Sequence, residues 1–152
     1  GTRPRIITQK SQQEEHAIMI ELIKEWNASG IEPKQICIVA RTAKLLENAK
    51  QYLAGNGIST YEIKNTNVDD EMLGGVRVAT MHRVKGIEFD CVIVIDVNEG
   101  IVPLDSMMQT ASDAIHRKDL EYAERSLLYV AITRAKKNVV VLTSGNKSMF
   151  LN

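Results

Sequence analysis

Three stretches constrain this chain more than anything else in it. QICIVA (Gln35 to Ala40), CVIVID (Cys91 to Asp96) and NVVVLT (Asn138 to Thr143) are apolar almost throughout rather than alternating. A strand with one face in water alternates apolar and polar residues, whereas a strand covered on both faces does not need to. Runs of this length suit strands and are too short for helices. The segments between them must then supply helices that cover both faces of a sheet.

Those segments carry helical signals. Ser11 offers an N-cap with Glu14 at capping-box spacing, followed by Ile18, Leu22, Ile23 and Trp26 and a stop near Gly30. Thr42 caps a second helix through Leu45, Leu46, Ala49 and Leu53, ended by Gly55 and Gly57. Leu120, Ala123, Leu127, Leu128, Ala131 and Ala135 recur at helical spacing and predict a third. Arg3 to Thr8, Gly57 to Ile63 and Val76 to Thr80 read as further strands. Lys64 to Gly75 is polar and reads as a loop, as does the stretch containing Pro103. The expectation is one α/β domain over residues 1–152, a three-layer fold with a mostly parallel sheet flanked by helices.

Composition excludes little. The hydrophobic fraction of 44% suits a folded domain, and 19 basic against 19 acidic residues give no overall pull toward nucleic acid. Cys37 and Cys91 sit inside apolar runs and read as buried thiols of a reducing, cytoplasmic compartment. No run approaches a membrane span and no signal peptide is present, so a membrane partner is not expected. The chain begins Gly-Thr, which reads as a fragment of a longer polypeptide.

In sheets of this kind ligands lie beyond the carboxyl ends of the strands. Arg41 and Thr42 follow the second strand, Thr80 through Glu88 the fourth, and Asn98 to Gly100 the fifth. One edge thereby collects hydroxyls, cations and backbone N–H groups, a combination that suits phosphate. Each residue also has a plainer reading. Arg134 suits a helix C-terminus as a cation. His82 and Glu88 suit a solvated surface. Asp96 resembles the aspartate that holds magnesium in P-loop enzymes, but no GxxxxGK[ST] accompanies it, so it reads as a strand-end polar residue.

Two clusters taken together go further. TMHRVKGIEFD (Thr80 to Asp90) resembles motif V of the UvrD/Rep/PcrA-like superfamily 1 DNA helicases, and LLYVAITRAKK (Leu127 to Lys137) resembles their motif VI. VNEGIVP (Val97 to Pro103) is similar to a strand-end segment of the same family, and Ile36 to Ile63 to the segment before its inserted 2B subdomain. The resemblance covers nearly the whole chain in the family's order. It implies a C-terminal RecA-like motor domain of the 2A type. ATP and Mg2+ would be bound mainly by an N-terminal RecA-like domain of the same polypeptide, with ATP in the cleft between the two.

Roles implied by the resemblance fall on matching positions. Arg134 corresponds to the arginine finger. Gly86 and Glu88 correspond to nucleotide-binding positions, backbone approach and ribose acceptor respectively. Arg41, Thr42, Thr80 and His82 correspond to positions facing single-stranded DNA. Lys85 suits either phosphate, and Thr133 and Tyr129 support the arginine. No metal ligand is assigned on this chain. The Walker motifs and motif IV are absent, and the 2B insertion is replaced by Lys64 to Gly75.

The resemblance thus implies the motor half of an ATP-dependent DNA helicase or translocase, with DNA repair as the family's usual setting. The fragment alone is expected to be inactive. Two alternatives stay open: a HelD-like motor acting on RNA polymerase, and a non-catalytic nucleic-acid-binding module.

Overall fold

A computed structural model describes residues 3–64 and 69–152. Among them a six-stranded sheet, all pairs parallel, runs in the order β1-β6-β5-β2-β4-β3. The strands are β1 (Arg5–Gln9), β2 (Ile36–Ala40), β3 (Thr60–Glu62), β4 (Val76–Thr80), β5 (Phe89–Val94) and β6 (Ala135–Ser144). The helices are α1 (Gln12–Ala28), α2 (Ala43–Gly55), the short α3 (Asp105–Met108) and α4 (Ala114–Ile132). The expected Lys64 to Gly75 loop lies partly outside the described residues.

Both faces are covered, as the apolar runs require. Ile36, Ile38 and Ala40 of β2 point into one core with Met19, Ile23, Leu46 and Leu53 of α1 and α2. Cys37 and Val39 point into the other, with Leu128 and Ala131 of α4 and with Met81 and Val84. Every residue of β2 and β5 is buried. Cys37 and Cys91 are free, buried thiols, and burial pushes both upward, Cys37 far more strongly.

The caps form where the sequence places them. Ser11 Oγ accepts from the Glu14 amide at 3.1 Å, and Thr42 Oγ1 from the Leu45 amide at 3.2 Å. At the end of α4 the structure departs from expectation. Helical spacing extends to Ala135, yet α4 ends at Ile132 and Ala135 opens β6. The Phe89 amide donates to the Arg134 carbonyl at 2.9 Å, and Phe89 registers with Ala135. Sheet pairing captures that segment. The expected Pro103 loop contains α3.

The connection from β4 to β5 positions everything that follows. The two strands are parallel and flank β2, so the chain must return the length of the sheet between them. Such returns usually contain a helix. Here residues 81–88 do it alone, as two turns closed by Arg83 N to Thr80 O and Ile87 N to Val84 O. Eight residues can reach about 26 Å, and a five-residue strand spans only about 17 Å. Met81 and Val84, each essentially fully buried, pin this crossover to the face that α4 also covers.

Candidate nucleotide and nucleic-acid site

Because the crossover runs the length of the sheet, it divides the expected site residues between two edges. This corrects the expectation of one edge at the carboxyl ends. Thr42, Thr80 and His82 lie at the carboxyl ends of β2 and β4. Glu88 and Arg134 lie at the opposite edge, immediately before β5 and β6. They share that edge because their successors, Phe89 and Ala135, are register partners.

At the amino-terminal edge Glu88 is exposed and lines a hollow of about 190 Å³ with Lys34, Asp90 and Lys136. Arg134 does not line that hollow. It is half-buried beside it, with Nε donating to the Val130 carbonyl at 3.0 Å and Nη2 to Thr133 Oγ1 at 3.4 Å. The Val130 bond satisfies an orphan carbonyl in the last turn of α4, so part of the guanidinium acts as a helix cap. No carboxylate among the described residues pairs with it. Thr133 donates to the Tyr129 and Val130 carbonyls at 3.0 Å. Thr133 therefore braces Arg134, whereas Tyr129 contributes a backbone carbonyl and leaves its ring exposed. A register shift between Phe89 and Cys91 adds a bulge beside this corner, and bulges re-aim neighbouring side chains. Gly86 has φ +84°, a left-handed conformation that other residues rarely adopt.

At the carboxyl-terminal edge Thr80, His82, Lys64 and Arg83 line a hollow of about 480 Å³ together with Ala43 in the first turn of α2. His82 is exposed, yet local burial and then the nearby Arg41 charge hold its imidazole below the usual range, with Glu124 opposing. Arg83 donates through Nη1 to the Lys64 carbonyl, which joins the crossover to the end of β3. The sequence reading did not single out Arg83 or Lys64. Arg83 lies inside the Thr80 to Asp90 stretch without an assigned role, and Lys64 stands at the start of the polar segment read as a loop.

Lys85 is exposed and lines a separate apolar groove of about 480 Å³ between the crossover and α4, with Met81, His82, Tyr122 and Leu127. It lies between the two edges and belongs to neither hollow.

Arg41 stands apart from its expected role. It is buried, and its guanidinium is engaged bidentately by Glu124, Nε to Oε1 at 3.0 Å and Nη2 to Oε2 at 2.8 Å. Its guanidinium faces inward to α4 and does not line the hollow of Thr80 and His82. Thr42 beside it uses its hydroxyl oxygen as the N-cap of α2.

Asp96 is also not an ordinary strand-end residue. It is buried with φ +55°, and its amide donates to Glu15 Oε2 at 3.0 Å while Gln12 donates to its carboxylate at 3.2 Å.

The profile of the UvrD-like helicase C-terminal domain matches residues 62–146, more than half of the 152. The chain belongs to the UvrD-like helicase C-terminal domain family. Its similarity to curated proteins agrees. It is 38% identical over 77 residues, 51% of the chain, to the ATP-dependent DNA helicase PcrA of Leuconostoc citreum. It is 34% identical over 92 residues, 60% of the chain, to DNA helicase II of Rickettsia typhi. Those matches take in 9% and 13% of the two proteins, so the chain spans a small part of the relatives it resembles.

The fold agrees as well. The solved C-terminal domain of a possible DNA helicase from Lactobacillus plantarum WCFS1 superimposes with a TM-score of 0.70, over 99% of this chain and 80% of that one, at 19% identity. The UvrD-like domain is thus a parallel α/β fold in which Thr80 to Asp90 holds the crossover and Leu127 to Lys137 the end of α4 and the start of β6. Among its described residues no helix is long and apolar enough to cross a membrane.

Proposed function

We propose that this UvrD-like domain is the C-terminal motor half of an ATP-dependent DNA helicase or translocase. Its amino-terminal edge would serve nucleotide and its carboxyl-terminal edge single-stranded DNA. One observation carries the reading: a single crossover, residues 81–88, joins Thr80 and His82 at one edge to Glu88 at the other, and Glu88 is seated beside Arg134 by sheet pairing. A ligand that shifts one end of so short a connection acts on the other.

The residues suit the phosphates and ribose of a nucleotide. Arg134 offers a guanidinium without a carboxylate partner, Glu88 an exposed acceptor for a ribose hydroxyl, and Gly86 a backbone free of side chain. ATP, when bound, supplies the phosphoanhydride to be cleaved. Arg134 holds positive charge where negative charge develops during phosphoryl transfer, and positioning of that kind accounts for most of the catalysis. Val130 and Thr133 hold the guanidinium by its Nε and Nη2, which leaves Nη1 without a hydrogen bond among the described residues. The carboxylates for Mg2+ and the phosphate-binding loop belong, on this reading, to an N-terminal domain of the same polypeptide. At the other edge Thr80, His82 and Thr42 hold the DNA backbone by hydrogen bonds that carry no sequence information.

The test is ATP hydrolysis by the full-length polypeptide that carries this chain, with and without single-stranded DNA, for wild type and Arg134→Ala. Stimulation by DNA in the wild type, and loss of turnover with retained nucleotide binding in the variant, is the expected result. Unchanged turnover in Arg134→Ala removes the finger assignment.

A further inference from the structure

We propose that Glu124 of α4 is a positioning residue that sets the DNA-facing edge of the domain, acting through Arg41 and the backbone that follows it. This rests on the reading of that edge given above. Glu124 lies in the middle of a long helix, a place where a carboxylate normally faces water, yet it is 4% exposed. Its two oxygens accept three hydrogen bonds from two other parts of the chain: Arg41 Nε and Nη2, and the Leu104 amide at 2.8 Å. Arg41 follows the last residue of β2 and precedes Thr42, the cap of α2. Leu104 is the residue from which α3 starts.

One carboxylate therefore joins β2, α2, α3 and α4 at the edge where Thr42, Thr80 and His82 gather. Burying a charged pair gives little net stability compared with apolar residues of the same size, so fold stability alone is a weak reason for it. Its geometric effect is specific. The two-pronged contact fixes the orientation of the Arg41 side chain and hence of the Arg41–Thr42 backbone. Thr42 and His82 are the groups that meet DNA, and His82 lies close enough to feel the charge of both Arg41 and Glu124. The arginine that sequence similarity assigns to DNA thus acts at one remove, and the glutamate behind it governs its position.

The experiment compares Glu124→Gln and the double replacement Arg41→Met with Glu124→Met in the full-length polypeptide. The double variant leaves no unpaired buried charge, so it keeps the test open where the single variant fails to fold. DNA-stimulated ATP hydrolysis is titrated with single-stranded oligonucleotide and, separately, with ATP. The half-saturating DNA concentration is expected to rise roughly tenfold in both variants, the scale set by losing a charge-assisted hydrogen bond. The KM for ATP is expected to move by less than about twofold, because the nucleotide edge lies at the other end of the sheet. An unchanged DNA requirement in a folded variant overturns the proposal. Proportional loss in both titrations, together with a lowered melting temperature, overturns it too, since that marks a purely structural role. Absence of DNA stimulation in the wild type is distinguishable from both and removes the reading of the edge itself.

Discussion

Glu15 is fully buried on α1, and its carboxyl group faces Asp96 at the end of β5. Burial, and then the negative charge of Asp96, push its pKa from an ordinary 4.5 to about 8. Glu15 Oε1 and Asp96 Oδ2 are both buried with no hydrogen-bond partner among the described residues, so a proton on Glu15 satisfies the pair better than two charges do. Between the two pKa values the folded domain keeps a proton that the unfolded chain has released, and stability must fall as pH rises. Histidines complicate the lower half of that interval. His16 and His82 are both held below 6.5 by burial, so each contributes stability that is lost as pH falls through that region.

The unfolded histidines still titrate just above 6.5, so the Glu15 contribution between pH 6.5 and 8 is read as the difference from Glu15→Gln, in which the histidine contribution is the same. At ~1.4 kcal/mol per pH unit for one proton, that difference changes by about 2 kcal/mol across the interval. Glu15→Gln retains an acceptor for the Asp96 amide and adds a donor toward Asp96, and it cannot ionise. Urea unfolding of the 152-residue chain at half-unit pH steps should show the wild type losing stability relative to the variant as pH rises. Glu15→Gln should become the more stable of the two toward pH 8. A variant profile parallel to that of the wild type over this interval refutes the reasoning.

Other perturbations have equally definite outcomes. Arg134→Ala should lower DNA-stimulated turnover of the full-length polypeptide on the order of a thousandfold or more, measured at saturating ATP. Arg77 is fully buried, donates to Asp69 and to the carbonyls of Asp70, Leu73 and Gly75, and stacks on Tyr61. Arg77→Leu leaves those acceptors without their donor and should cost roughly 3 kcal/mol in urea unfolding. Thr42→Ala removes the α2 cap and should cost about 1 kcal/mol by the same assay. Because His82 is held neutral at pH 7, single-strand binding should tighten as pH falls below 6.5, measured by fluorescence anisotropy, and this gain should be lost in His82→Ala.

Much of this domain was legible from local pattern. The apolar runs in β2, β5 and β6 require a sheet covered on both faces, whatever the strand order, because no other setting hides both sides of a strand. Ser11 and Thr42 mark helix starts because a cap hydroxyl needs only an amide three residues on. Arg134, Gly86 and Glu88 were named by motif, from two stretches more than forty residues apart in the chain. What the tertiary structure decided is which distant groups meet. Arg41 finds Glu124 83 residues away, and the Asp96 amide finds Glu15 81 residues away. Ala135 leaves its helical period because Phe89 pairs with it. Glu88 reaches the far edge because the crossover runs the length of the sheet. Each outcome depends on the order β1-β6-β5-β2-β4-β3, which is set by the summed packing of all six strands. No local period encodes that order, so the sequence named the groups while their partners emerged only from the assembled sheet.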